Sequence, residues 1–141
     1  MCDGEGEASP LHALSVMPRV LVVDDDPSYL MILERLCGAC GAEVVTASTA
    51  EEARGALGRK AFDLLLLDLQ LDRQEGLPLI AEIEHDPALA PKAVVVTGFS
   101  VVAPVFTKLP IVDKGKLEDL AVYLRRMLEG ARRTAPVGAE R

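Results

Sequence analysis

Basic residues are in deficit: 15 lysines and arginines face 22 acids, for a formal net charge of −7. That disfavours a binder of nucleic acid or anionic membrane, since both surfaces demand a basic patch. No apolar run reaches the ~18 residues of a membrane span, and no basic stretch leads into an apolar signal core. A soluble, cytoplasmic protein is expected. The three cysteines, an odd number, do not make a disulfide framework. Cys37-Gly38-Ala39-Cys40 spells C-x-x-C, but it falls at a predicted helix end where both sulfurs share an apolar face. Packing therefore outweighs a redox or metal role there. The pattern G-x-x-x-x-G-K-[ST] is missing, which argues against a nucleotide triphosphatase. Tryptophan is absent, and no internal repeat is found. Present instead is an apolar content of 50% over 141 residues, enough for the core of one domain.

That core centres on Phe62-Asp63-Leu64-Leu65-Leu66-Leu67-Asp68. Four consecutive leucines are too short for a free-standing helix and suit a strand buried on both faces of a parallel sheet. Val20–Val23 reads as an earlier strand, Glu43–Ala47 as a second, Ala93–Val96 as a fourth and Ile111-Val112 as a last. Helices are expected between them. Pro27 starts one whose apolar face is Tyr29, Ile32, Leu33, Leu36 and Cys40, and Gly41 stops it. Thr49 and Glu52 form a capping box for a helix with Ala53, Ala56 and Leu57 on its thin apolar face. A third spans roughly Leu77–His85, and a closing helix from Leu117 to about Arg133 buries Leu117, Leu120, Tyr123, Leu124, Met127 and Leu128. The pairs Arg125-Arg126 and Arg132-Arg133 read as its solvated face. From Ser100 to Leu109 the signal weakens, with Pro104 in its middle, so the segment is either a helix of two turns at most or an irregular connection. Residues 1–17 and 134–141 read as flexible tails around a domain of residues 18–133. The order βαβαβαβ(α)βα implies an α/β fold, a doubly wound five-stranded parallel sheet of flavodoxin-like order 2-1-3-4-5.

In that order strands 1 and 3 are neighbours, so Asp24, Asp25 and Asp26 meet Asp68 at one sheet edge. Close carboxylates repel by ~4 kcal/mol per pair at an effective dielectric of 20, so a pKa rises or a cation binds. Open oxygen ligands suit Mg²⁺ (or Mn²⁺), while zinc lacks a nearby His or Cys. Thr97 and Lys114, at two further strand ends, add a hydroxyl and an ammonium. Carboxylate, dication, hydroxyl and lysine are the parts for phosphoryl transfer onto an aspartate. Alone, the acidic triplet could be a solvated turn capping a helix, and Lys114 an ordinary surface lysine. Neither His12 nor His85 lies in the context of a phosphodonor.

Val22-Val23-Asp24-Asp25-Asp26-Pro27, Asp63-Leu64-Leu65-Leu66-Leu67-Asp68, Val96-Thr97-Gly98 and Asp113-Lys114, taken in order, resemble the receiver domain of two-component response regulators. The resemblance runs from about Arg19 to Leu128. It implies that Asp68 is the phosphoacceptor for a histidine kinase or histidine phosphotransferase. It implies that Asp24, Asp25, Asp68 and the backbone carbonyl of Gln70 hold the metal, that Thr97 is the switch hydroxyl, and that Lys114 pairs with the phosphoryl group. Glu75-Gly76 stand where the family usually has Asp-Gly. Asp72 and Gly115 replace two prolines common in the family, and Ile111 takes the place of an aromatic switch residue. Only 16 residues separate Thr97 from Lys114, fewer than is usual, so the family's fourth helix is shortened or missing. Thr97-Gly98-Phe99, with Pro110 and Lys114, resembles a subset of single-domain regulators. The expectation is a stand-alone receiver, without enzymatic turnover of its own, acting through a downstream protein and open to homodimerisation. Two rivals are a phosphorylation-independent pseudo-receiver used for binding or dimerisation, and a Mg²⁺-dependent hydrolase, for which no substrate-pocket insertion is evident.

Overall fold

The computed structural model describes residues 17–71 and 76–134. The predicted tails, save Met17 and Thr134, lie outside the described residues, as do His12, Asp72 and Glu75. Five parallel strands, β1 (Arg19–Val23), β2 (Glu43–Ala47), β3 (Leu64–Leu67), β4 (Ala93–Thr97) and β5 (Ile111–Asp113), stand in the order β2-β1-β3-β4-β5. Among the described residues four helices accompany them: α1 (Pro27–Ala39), α2 (Ala50–Arg59), α3 (Gly76–Glu84) and the closing α4 (Leu117–Thr134). The flavodoxin-like architecture read from the alternating pattern is the architecture found.

Side chains leave a strand alternately to either face, and that alternation divides the core in two. Leu21, Val23, Leu65, Leu67, Ala93 and Val95 pack with Ala50, Ala53 and Ala56 of α2 and with Leu79, Ile80 and Ile83 of α3. Val20, Val22, Leu64, Leu66, Val94 and Val96 pack with Leu33 and Cys37 of α1 and with Leu120, Leu124 and Leu128 of α4. β3 is buried at every position, as its unbroken leucines require. Ile32 departs from expectation: it is exposed, while Leu33 and Cys37 carry the buried seam of α1. Cys40 is half-buried against the same cluster, and burial pushes the Cys37 thiol up to about 12. The C-x-x-C pair is thus packing, as its helical face implied. The side chain of Leu117 lies outside the described residues.

Local capping sets where α2 begins. Thr49 Oγ1 accepts the Glu52 N–H at 3.0 Å, but Glu52 reaches back to the Ser48 N–H, at 2.8 Å, rather than to Thr49. The capping box therefore closes one residue earlier than its sequence spacing suggests. Between β4 and β5 the chain makes only one 3₁₀ turn, Ala103–Val105, in place of a helix. Ala103 and Leu109 fill the core on that side. Glu84, at the end of α3, anchors the returning segment by accepting Thr107 Oγ1–H at 2.6 Å and Lys108 N–H at 3.1 Å.

Gly76 opens α3 in direct contact with the segment that follows β3. A Cβ there would lie 2.7 Å from the Leu69 carbonyl oxygen and 2.9 Å from the Leu71 nitrogen, both backbone atoms that cannot rotate away. Gly76→Ala is expected to cost ~1–3 kcal/mol in urea denaturation. Gly58→Ala, whose added carbon meets nothing within 4 Å, should be neutral or mildly stabilising.

Candidate functional site

The strand register builds the site. Val23 of β1 pairs with Leu67 of β3, so the next residues, Asp24 and Asp68, leave the sheet side by side. Each is fixed by its backbone: the Asp24 N–H donates to the Ala47 carbonyl at 3.1 Å and the Asp68 N–H to the Val23 carbonyl at 3.0 Å. Both side chains are buried, whereas Asp25 is exposed. One carboxylate oxygen from each of the three lies within 4.8 Å of the others. Asp26 has a different task. It caps α1, accepting the Ser28 N–H at 2.9 Å, while its own N–H donates to Asp24 Oδ1 at 2.9 Å. The helix-capping reading of the triplet thus holds for Asp26, and Asp24 and Asp25 join Asp68.

Lys114 enters from the end of β5. Its Nζ stands 2.7 Å from Asp24 Oδ2 and 3.4 Å from Asp68 Oδ2. Asp24 Oδ2 is fully buried, and the Lys114 ammonium at 2.7 Å is the charge that faces it. Burial pulls the Lys114 pKa down, but the two carboxylates outweigh it and the net displacement is upward. For Asp68, desolvation and the neighbouring Asp24 outweigh the help from Lys114 and from the Gln70 N–H, and its carboxyl is raised to about 6. Gln70 donates that N–H to Asp68 Oδ1 at 3.2 Å.

An open cavity of about 530 Å³ reaches this cluster, lined by acidic Asp25, Asp26 and Asp68, by Lys114, and by apolar Phe99, Val102 and Phe106 among others. Thr97 does not line it. The threonine is fully buried, its Oγ1 accepting the Phe99 N–H at 3.0 Å and its carbonyl the Lys114 N–H at 2.9 Å. Of the residues singled out by sequence, Asp24, Asp25, Asp68 and Lys114 converge, Gln70 adjoins them, and Thr97 is tied to the Lys114 backbone rather than to Asp68. Sequence reasoning missed the apolar wall, because Phe99, Val102 and Phe106 have no strand or helix period to expose their direction. It also placed Tyr29 merely on the α1 core face, although this tyrosine touches Lys114.

The donor set fits a small hard dication: three carboxylates whose oxygens lie within 4.8 Å of one another, two of them on buried residues, and a solvent-open side. The folded pKa of Asp68 lies above its ordinary value, so between 3.8 and about 6 the native state binds the extra proton. Stability therefore falls as pH rises through that window and stays lowered above it. Asp68→Asn is expected to raise stability at pH 7 in metal-free buffer by on the order of 2 kcal/mol, with no gain below about pH 4. Chemical denaturation across that range measures it.

The family model for the response regulator receiver domain matches residues 20–109. The response regulator protein PilR of Pseudomonas aeruginosa is 30% identical over 128 residues, covering 84% of this chain and 28% of PilR. The sensor protein GacS of Pseudomonas syringae is 42% identical over 59 residues, covering 42% of this chain and 6% of GacS. The chain thus spans less than a third of the length of these curated relatives. Among solved structures, the response regulator TrrA of Thermotoga maritima, in complex with Mg²⁺ and BeF, is 25% identical with a TM-score of 0.65, covering 79% of this chain and 100% of that one. A CheY-like receiver domain protein of Methanospirillum hungatei shares the fold at 24% identity and a TM-score of 0.61, covering 82% and 99%. With the carboxylates at the ends of β1 and β3, and with a match over most of the folded chain, this protein belongs to the response regulator receiver domain family.

Proposed function

We propose that Asp68 accepts a phosphoryl group from a histidine kinase or histidine phosphotransferase, in the cytoplasm, and that the folded unit of residues 18–133 passes the signal on through protein contacts. The observation that carries this reading is the meeting of the Asp68 carboxylate with two further aspartates and one ammonium at the floor of an open cavity. In the transfer, an Asp68 oxygen attacks phosphorus. The P–N bond to the donor imidazole breaks, its electron pair returns to the ring, and an acyl phosphate remains. Asp24, Asp25, Asp68 and the carbonyl of Gln70 would hold Mg²⁺ or Mn²⁺. Such an ion, when bound, neutralises charge developing on the phosphoryl oxygens. Lys114 is close enough to leave Asp68 for the incoming group while keeping Asp24 as a partner. The TrrA complex with Mg²⁺ and BeF supports this use of the site.

Output is assigned to the segment between β4 and β5. Phosphorylation adds a strongly charged group at Asp68, and Thr97 turning toward it would disturb the Phe99 N–H bond and with it the loop. That loop exposes Phe99, Val101, Val102, Val105 and Phe106, with Val101 at 92% and Val105 at 80% exposure. So much apolar surface in eight residues is the mark of a protein-binding patch. A curtailed helix here gives the downstream partner a surface of unusual shape.

Acetyl phosphate with Mg²⁺, read by intact mass, should add one phosphoryl group to the chain and none to Asp68→Asn. Absence of an adduct with every donor tried would favour a pseudo-receiver acting as a binding module. Asp25→Ala should weaken Mg²⁺ binding roughly tenfold or more, measured by titration of the metal-free protein. Hydrogen exchange across residues 97–112 should change on phosphorylation; an unaltered pattern would remove the output role from this loop.

A further inference from the structure

We propose that Tyr29 is a positioning residue that clamps Lys114 for phosphoryl transfer, an inference that rests on reading Asp68 as the phosphoacceptor. Tyr29 sits in the first turn of α1, three residues after the Asp26 cap, so the helix start that follows the acidic pair also fixes its reach. Its hydroxyl donates a hydrogen bond to the Lys114 carbonyl. Its ring faces the other end of the same residue, with Lys114 Nζ 4.5 Å from the ring centroid. A cation over an aromatic face is attracted by the ring's negative quadrupole, more strongly where water is thinned out. Tyr29 therefore grips Lys114 at backbone and ammonium together.

The local sequence makes such a grip necessary. Lys114 is followed by Gly115, which has no side chain to stiffen the turn, and the lysine stem itself has four flexible carbons. The backbone is pinned on one side by the Lys114 N–H to the Thr97 carbonyl at 2.9 Å, and the turn by the Gly115 N–H to Asp113 Oδ1 at 2.7 Å. Neither bond aims the ammonium. The ammonium stands between two carboxylates, 2.7 Å from Asp24 and 3.4 Å from Asp68, and a flexible stem alone does not fix it between them. The ring supplies a third point of attraction that holds it within reach of the phosphoacceptor. Burial raises the Tyr29 pKa, with Lys114 opposing, so the hydroxyl stays protonated and available as a donor.

Two measurements on the full chain test this. The first is the rate of adduct formation from acetyl phosphate with Mg²⁺, by intact mass, for the parent, Tyr29→Phe and Tyr29→Leu, each also combined with Lys114→Met. Tyr29→Leu should slow the rate at saturating donor about tenfold, with the half-saturating donor concentration little changed. Tyr29→Phe, which keeps the ring, should lie between, and Tyr29→Leu should cause no further slowing once Lys114 is methionine. A Tyr29→Leu rate equal to the parent's, or equal slowing with and without Lys114, would overturn the proposal. The second is the NMR shift of the Lys114 ε-methylene in metal-free protein. It should be moved upfield by the ring, stay so in Tyr29→Phe and relax in Tyr29→Leu. If the parent takes no phosphate, the proposed function fails separately, and an ordinary ε-methylene shift would overturn the clamp by itself. If Tyr29→Leu does not fold, the parent and Tyr29→Phe decide: an ordinary parent shift overturns the clamp, and a shifted signal kept in Tyr29→Phe supports it.

Discussion

Negative charge on two buried aspartates at the floor of an open cavity, faced by the Lys114 ammonium, is the constraint on which the site depends. The parallel pairing of β1 and β3 puts Asp24 and Asp68 at adjacent strand ends, whatever the electrostatic cost. Two like charges a few ångströms apart repel by several kcal/mol even at moderate dielectric. The fold tolerates this because hydrocarbon on both faces of the sheet supplies ample stabilisation, and because Lys114 reaches across from β5. The residual strain is visible in the elevated Asp68 pKa. A cation therefore meets a site with negative charge in excess, and relief of that excess is a direct source of binding energy for it.

The fold was largely legible in the sequence, for reasons that can be named. Runs such as Leu64–Leu67 and Val94–Val96 have one sensible home, a strand covered on both faces, and their spacing leaves room only for crossover helices. The convergence of Asp24, Asp25 and Asp68 followed from strand order alone. What was not legible depended on side-chain direction within half-turns. Ile32 and Leu33 are adjacent and equally apolar, and which of them faces the sheet is settled only by packing, which buries Leu33. Glu52 bonds Ser48 instead of Thr49, a choice between neighbouring donors that spacing cannot make. Tyr29 carried no signal beyond its helical period, since contact with Lys114 spans 85 residues of chain.

The segment from Phe99 to Leu109 shows how a missing helix is accommodated. Ala103 and Leu109 seal the core on that side, and Glu84 ties the strap down at Thr107 and Lys108. Val101 and Val105 face solvent. One stretch of sequence serves as the wall of the acidic cavity through Phe99, Val102 and Phe106, and as an outward-facing patch through its other residues.

The short connection also has a mechanical result. The Lys114 N–H is bonded to the Thr97 carbonyl, and Asp113 Oδ2 accepts the Ser100 hydroxyl at 2.6 Å, so the ends of β4 and β5 are riveted just beyond the sheet. The backbones of the hydroxyl-bearing residue and the lysine are thereby joined directly, while the lysine stem beyond them stays flexible. A substitution that shifts the backbone of Thr97 therefore also shifts the backbone that carries Lys114, so the two strand ends cannot be tuned separately.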